Sequence, residues 1–329
     1  MKDYGEVPGG KNDLQPLLYP FHRLYPGKIL SKYRWFHNSR LPSNLLSLNN
    51  RKKWLTVIDR LGAPGDALIT ANVIRCIKKT YPKLKVNCIT PHPELIRLDP
   101  DIDSINQPET FYSFDSTYWE LIVRKEKSQN IIEHNMLRLG IKKYDYKAAY
   151  YLSEEEKAWA KQEASNFDKP ILAICTKSKE PVKNWSEANW LELIQNLKAN
   201  FSIIHLGDDK EPSFEGVHQF AGKLSMRKSA AILSRSSHFI GPDSLLMHVA
   251  NGLNIPSTII FGGSRPVACF GYSENINLSS APECSPCWIH KGYEECKYNI
   301  KCMDTITSDK VFSDLQSLLI QRLDNKSIY

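Results

Sequence analysis

Between Lys169 and Gly263 the chain alternates short apolar runs with amphipathic stretches, and that alternation leaves few folds open. "KPILAIC" reads as a buried strand. "SEANWLELIQNLKAN" reads as a helix, because Trp190, Leu193, Ile194 and Leu197 recur at i, i+3, i+4 and i+7 and form one apolar face. "FSIIHLG", "HFIG" and "PSTIIFGG" are further strands, separated by the helical stretches "SMRKSAAILSRS" and "DSLLMHVANGL". Strands joined through helices pair in parallel, so this half of the chain predicts an α/β sheet. A last helix, "SDKVFSDLQSLLIQRL", sets Val311, Leu315, Leu318 and Leu319 on one face, with Ser308 as its N-cap.

A similar series comes earlier. "KWLTVIDRL" is strand-like, "GAPGD" is a turn, and a helix follows with Ala67, Ala71, Ile74 and Ile77 on one face. Pro82 stops that helix and "KVNCIT" is the next strand, a unit that requires a right-handed crossover. Residues 91–165 are less regular, with loops rich in Asp and Pro, helical stretches such as "NIIEHNMLRLGI", and a charged helix at 152–167 leading to a linker. Two successive series predict two Rossmann-like doubly wound domains facing across a cleft. Their expected limits are 53–165 and 166–329, after an N-terminal arm over 1–52. In such sheets ligands bind beyond the carboxyl ends of the strands.

The 329 residues suffice to bury two cores without help from metals or disulfides. No apolar run approaches the roughly 18 residues that span a bilayer, and the charged, turn-rich start lacks the apolar centre of a signal peptide. A cytoplasmic protein is expected. The formal charge of +7 falls wholly in residues 1–53, where ten Lys and Arg face three Asp and Glu. There "LYPFHRLYPGKILSKYRWF" interleaves bases with aromatics. That pattern suits an arm whose rings pack on the body, or one that touches an anionic membrane surface peripherally. Nucleic acid is the weakest of the three readings.

Three strand-to-helix loops carry residues suited to chemistry. In "FIGPDSLLMHVANGL" either Asp243 or Ser244 caps the helix, which is a structural role. The same helix start, with free N–H groups and a positive dipole end, could cradle a diphosphate, with His248 one turn on. In "CTKSKEPVKNW", Thr176, Lys177, Lys179 and Lys183 follow a strand; such lysines are either solvated or placed to neutralise an anionic leaving group. In "RLGAPGD", Asp66 is either an N-cap or a base aimed into the cleft. The Gly-x-Gly-x-x-Gly fingerprint is absent there.

Of the eight cysteines, Cys76, Cys88, Cys175 and Cys269 fall in buried-looking elements and read as core. Cys284, Cys287, Cys296 and Cys302 are spaced C-x2-C-x8-C-x5-C. In a reducing compartment this pattern suits a tetrahedral four-thiolate site holding structural zinc, or iron, with free thiols and regulated disulfides as alternatives. A closed four-thiolate site leaves no open coordination position, so its expected task is to fold a loop of little apolar content. Trp288, Tyr293 and Tyr298 either pack around that metal or contact a sugar.

Taken together, "GDALITANVIRCIKKTYP", "VKNWSEANWLELIQNL", "HLGDD", "AGKLSMRKSAAILSRSSHFIGPDSLLMHVANGLNIP" and "FGG" resemble glycosyltransferase family 9, the ADP-heptose:lipopolysaccharide heptosyltransferases, over about residues 54–320. The "CSPCW … C … CMDTIT" segment resembles a subset of that family. The resemblance implies the GT-B architecture and an inverting transfer of a sugar, heptose or related, from a nucleotide diphosphate, with an ADP-sugar favoured, to an acceptor hydroxyl. The acceptor could be a saccharide, a lipid-linked molecule or a protein. Asp66 matches the family's general base. Lys183, in the K-x-W element with Trp185, matches the lysine at the donor phosphates, while Thr176 and Lys177 lie in the loop facing the nucleotide. Asp243, Ser244 and His248 match the D-[ST]-G-x-x-H element at the diphosphate helix, except that Leu245 stands where the family has glycine. No catalytic metal is expected if cations and helix dipoles stabilise the departing diphosphate. A non-catalytic nucleotide-sugar-binding relative and a GT-B-like epimerase or hydrolase are the alternatives.

Overall fold

The computed structural model describes residue 41 and residues 45–51, 53–280, 282–289 and 295–326, with side chains in the last helix described as far as residue 317. The basic arm therefore lies almost wholly outside the described residues, as does Tyr293. The described chain divides into two compact units. One runs to Arg124 and resumes over Gln129–Tyr151; the other comprises Lys125–Ser128 and the chain from Leu152 onward.

In the first unit, strands β1 (Trp54–Asp59), β2 (Lys85–Ile89), β3 (Ser104–Ile105) and β4 (Ser113–Ser116) form a parallel sheet in the order β3-β2-β1-β4. Register is set by Leu55 opposite Val86 and Val57 opposite Cys88, with β4 on the other side through Val57 opposite Phe114. All five of these side chains are shut off from solvent, as strands covered on both faces require. The helix Pro64–Thr80 returns the chain from β1 to β2, with Ala67, Ala71, Ile74 and Ile77 buried as the periodicity predicts. Asn49, from the helix Leu45–Asn50, accepts the Lys83 N–H at 2.8 Å and so ties the segment before β1 to this unit.

The second sheet is also wholly parallel: β5 (Ile171–Ile174), β6 (Ser202–His205), β7 (His218–Gln219), β8 (His238–Pro242), β9 (Ser257–Gly262) and β10 (Ile276–Ser279) lie in the order β10-β9-β8-β5-β6-β7. Counted from β5 as the first, this is the 3-2-1-4-5-6 order of a dinucleotide-type fold. Its strand order reverses between β5 and β8, where a crevice opens at the carboxyl ends. The helix Glu187–Leu197 buries the predicted Trp190, Leu193, Ile194 and Leu197.

Three local expectations shift. The helix Glu154–Ala164, read as part of the first domain, belongs to the second unit. Its Glu156 accepts the Ser153 N–H at 2.8 Å, closing a capping box, and also forms a two-pronged ion pair with the buried Arg227. Ser308 is the first residue of the last helix rather than its cap. Thr307 Oγ1 accepts the Lys310 N–H at 3.2 Å, while the Ser308 hydroxyl donates to Glu192. Asp66 is the third residue of its helix, not the N-cap.

Among the described residues, no helix is long and apolar enough to cross a membrane.

Candidate functional site

The crevice between β5 and β8 brings four sequence-predicted residues together. The Pro181–Lys183 turn after β5 delivers Lys183, and the end of β8 delivers Asp243. Lys183 Nζ lies 2.9 Å from Asp243 Oδ2, with only 11% and 5% of the two side chains exposed. A second carboxylate, Glu180, stands 3.3 Å from the same ammonium. Burial alone would depress the Lys183 pKa; the charges of Asp243 and Glu180 outweigh it and raise the lysine above its ordinary value. The lysine is a held cation in a shielded place, where charge acts strongly on an incoming anion.

Ser244 occupies the N-cap position of the helix Leu245–Gly252, but its side chain makes no capping hydrogen bond and lies instead beside the Cys175 thiol. That helix start therefore follows the carboxyl end of β8 without a side-chain cap from Ser244, its Met247 N–H donating to the Ser244 carbonyl at 3.1 Å. Leu245, half-buried, takes ordinary helical backbone as the first residue of the helix, so the position does not need glycine for its conformation. His248, one turn on, is 4% exposed, and its Nδ1 is 2.7 Å from the Tyr272 hydroxyl. Burial drives the imidazole pKa down to about 4; Asp243 opposes this and Lys183 assists it. His248 is thus neutral at physiological pH, and its tautomer is tied to Tyr272.

Thr176 and Lys177 are placed differently. Thr176 is buried, and both its hydroxyl and its N–H donate to Glu211 Oε2, while the Lys177 N–H donates to Oε1 at 3.1 Å. His205 Nε2 completes the set at 2.9 Å from Oε2. Burial works against the Glu211 charge, but the bonds from His205, Thr176 and Lys177 prevail and hold its pKa below the usual value. The Lys177 ammonium pairs with Glu187 at 3.2 Å. Glu211 is thus the anchor of the loop after β5. The sequence reading missed it, since one glutamate in "GDDKEP" carries no periodic or motif signal.

In the first unit, Asp66 lies at the carboxyl end of β1 and Tyr118 at that of β4, the corresponding place in the sheet. Asp66 is 7% exposed; its Oδ2 accepts the Ala63 N–H at 3.1 Å and its Oδ1 accepts the Tyr118 hydroxyl at 2.8 Å. The turn ahead of it is pinned by Asp59, which accepts the Gly62 N–H and the Thr90 hydroxyl, each at 2.9 Å. Gly62 has φ of 72°, the left-handed region that glycine enters freely. Burial pushes Asp59 up to about 6 despite those two bonds.

The cysteines divide as expected. Cys76, Cys88, Cys175 and Cys269 are buried, and Cys284, Cys287, Cys296 and Cys302 line one pocket of about 330 Å³. Burial pushes the Cys302 thiol up and the sulfurs of Cys287, Cys296 and Cys284 add to this, while the Gly263 N–H opposes it. The Ile300 N–H points to Cys296 Sγ at 3.3 Å, a contact suited to thiolate sulfur. The donor set and the backbone N–H contacts fit a thiophilic ion. Even so, among the described residues no three ligating side chains converge closely enough to hold one as they stand. Of the nearby aromatics, Trp288 is buried and Tyr298 is exposed.

Comparison with known proteins gives this geometry a context. The profile of glycosyltransferase family 9 (heptosyltransferase) matches residues 115–298. That span contains both walls of the β5–β8 crevice and three of the clustered cysteines, but not Asp66 or Cys302. Lipooligosaccharide heptosyltransferase 2 of Haemophilus influenzae (strain ATCC 51907 / DSM 11121 / KW20 / Rd) is 24% identical over 182 residues, which are 51% of this chain and 52% of that protein. The chain thus spans about half the length of the curated relative it matches. Among solved structures, the iron-containing dodecameric glycosyltransferase TibC from enterotoxigenic E. coli H10407 superposes with a TM-score of 0.63 at 19% identity, covering 82% of this chain and 76% of that one. TibC has also been solved in complex with ADP-D-beta-D-heptose. A glycosyl transferase family 9 protein from Veillonella parvula DSM 2008 gives 0.62 at 12% identity, covering 82% and 97%. At such identities the structures speak for the fold, which is the GT-B type. With the family profile spanning more than half of its length and enclosing the lysine–aspartate crevice, the chain belongs to glycosyltransferase family 9, the heptosyltransferases.

Proposed function

We propose that the chain transfers a heptose or related sugar, with inversion, from a nucleotide diphosphate to an acceptor hydroxyl. The observation that carries this reading is the buried Lys183 ammonium between Asp243 and Glu180, beside a helix start without a side-chain cap. The donor's diphosphate takes its place between Lys183 and the first amides of the helix Leu245–Gly252. Neutral His248 and Ser244 offer hydrogen bonds there, and Thr176 and Lys177 form the wall that Glu211 holds in shape. An ADP-sugar is the favoured donor, in keeping with the ligand of TibC.

In the transfer, the acceptor oxygen forms a bond to the anomeric carbon from the face opposite the diphosphate. The bond from that carbon to the diphosphate oxygen breaks with its electron pair, and Asp66 takes the hydroxyl proton. The negative charge growing on the departing diphosphate is met by Lys183 and the helix amides, already in place.

Cys284, Cys287, Cys296 and Cys302 would hold zinc or iron, which when bound supplies cross-links to a loop poor in apolar side chains. The reading places the protein in the cytoplasm, with the basic arm meeting an anionic membrane surface; the support is the concentration of the +7 charge in residues 1–53.

The test begins with thermal shifts on ADP-, GDP-, UDP- and dTDP-sugars, because a bound donor stabilises the fold by mass action. With the stabilising donor, release of nucleoside diphosphate should depend on acceptor. Asp66→Asn should lower turnover by roughly 10²–10⁴-fold with the thermal shift unchanged. Turnover without acceptor would identify a hydrolase or epimerase, and full turnover by Asp66→Asn would remove the base assignment.

A further inference from the structure

The turn after β9 connects the cysteine loop to the diphosphate crevice through a residue that the family motifs do not include. Arg265 is 3% exposed. Its Nη2 donates to Glu180 Oε2 at 3.0 Å, the same oxygen that stands 3.3 Å from Lys183 Nζ. On its other side the guanidinium lies over the Trp288 ring, 5.0 Å from its centroid, and Nη1 donates to the Ile289 carbonyl at 3.3 Å.

Trp288 follows Cys287 directly, and it is fixed at three points. Its N–H donates to the Ser264 carbonyl at 3.0 Å, its indole Nε1 donates to the Glu126 carbonyl at 3.2 Å, and its ring packs against Phe270. Its φ of 56° is a conformation that bulky residues adopt only where their surroundings impose it. The cysteine loop also backs the turn from behind. A Cβ on Gly262 would meet Met303 Sδ at 2.2 Å, and one on Gly263 would meet Cys302 Cβ at 3.1 Å. The end of β9 and the turn 263–265 are therefore packed directly against that loop.

Charge accounting then gives Arg265 a task. Lys183 faces two carboxylates, and a diphosphate that engages the ammonium must compete with both. A Glu180 deprived of Lys183 would be a partly buried carboxylate beside an arriving polyanion, which is costly unless another cation holds it. Arg265 already holds it, with a planar fork suited to carboxylate.

We infer that Arg265 is a positioning residue of the donor site: seated on Trp288, it retains Glu180 while Lys183 turns to the diphosphate, so that the cysteine loop sets how readily the donor binds. The inference rests on the reading of Lys183 as the diphosphate cation.

Titration calorimetry of the full chain with ADP tests it. Arg265→Gln should bind ADP about tenfold more weakly, and the loss should shrink to roughly twofold when Glu180→Gln is also present, because the carboxylate that Arg265 retains is then gone and only Asp243 still competes for Lys183. Trp288→Leu should show a smaller loss with the same rescue. A merely structural Arg265 would lose affinity equally with and without Glu180, and additive losses, or no loss, would overturn the inference. If Arg265→Gln does not fold, Arg265→Lys keeps a cation without the fork and is read in the same cycle. Lys183→Met separates the two failures. If it abolishes ADP binding while Arg265 variants bind normally, only this inference falls. If it binds ADP as the parent chain does, the reading of Lys183 falls, and this inference with it.

Discussion

His248 Nδ1 and the Tyr272 hydroxyl oxygen lie 2.7 Å apart, both residues almost completely shielded from water. The pairing matters because the imidazole, held at a pKa of about 4, must have its neutral ring nitrogens satisfied or oriented by neighbours. Tyr272→Phe removes the partner and keeps the ring, leaving a buried nitrogen unbonded. The expected cost is about 1–3 kcal/mol in urea unfolding. The pH profile of donor binding should show no inflection from His248 between pH 5 and 8, whereas a tyrosine acting only as packing would leave stability unchanged on truncation to phenylalanine.

Asp59 should make stability depend on pH in an unusual direction. Its folded pKa of about 6 lies above the ordinary 3.8, so the protonated form is favoured by folding. That contribution is complete below pH 3.8 and is lost as pH rises through about 6, with a ceiling of about 3 kcal/mol. Asp59→Asn can accept from Gly62 and donate to Thr90 without carrying charge. Measured against the parent chain, its relative stability should grow between pH 4 and pH 7.5; a constant difference would refute the assignment.

Glu211→Gln tests the anchor of the loop after β5. The carboxylate accepts from two backbone amides, the Thr176 hydroxyl and His205, and an amide NH₂ would meet one of those donors head-on. A destabilisation of about 3 kcal/mol is expected at pH 7. Since the native carboxylate has a depressed pKa, the deficit should narrow as the pH falls below about 4.5, the ordinary glutamate value. Denaturant titrations at pH 4 and pH 7 decide it.

Metal analysis bears on the cysteine loop. The purified chain should carry close to one equivalent of zinc or iron, and the Cys284→Ser/Cys287→Ser chain should carry none. Chelation should lower the melting temperature of the parent by on the order of 10 °C, with little effect on the double variant. Equal melting temperatures with and without metal would show that the thiols fold the loop by themselves.

What could be read from the sequence was whatever leaves a local trace. Trp190, Leu193, Ile194 and Leu197 announce a helix by spacing alone. Parallel α/β series then place Lys183 and Asp243 on adjacent strand ends, although they are 60 residues apart. Glu180, Glu211 and Arg265 leave no such trace. As charged residues in loops they look solvated, and their burial depends on partners 35 and 85 residues away in the chain. The helix Glu154–Ala164 misleads for the same reason. Its composition is that of a free surface, but Ala160 is fully buried and Glu156 is committed to Arg227. Tyr118 is one of several aromatics in "FYSFDSTYWELIV" with nothing to single it out, and only the adjacency of β1 and β4 shows that it reaches Asp66.

The doubly used carboxylate of Glu156 has a consequence in time. Its partner Arg227 lies 71 residues further along the chain. At roughly 5–20 residues per second, a growing polypeptide needs several seconds to supply that arginine after the glutamate has been made. During that interval the bond from Ser153 N–H to Glu156 can already close the first turn of the helix. The second unit thus has the helix Glu154–Ala164 started early and docked late, by one side chain that serves first as a cap and afterwards as an anchor.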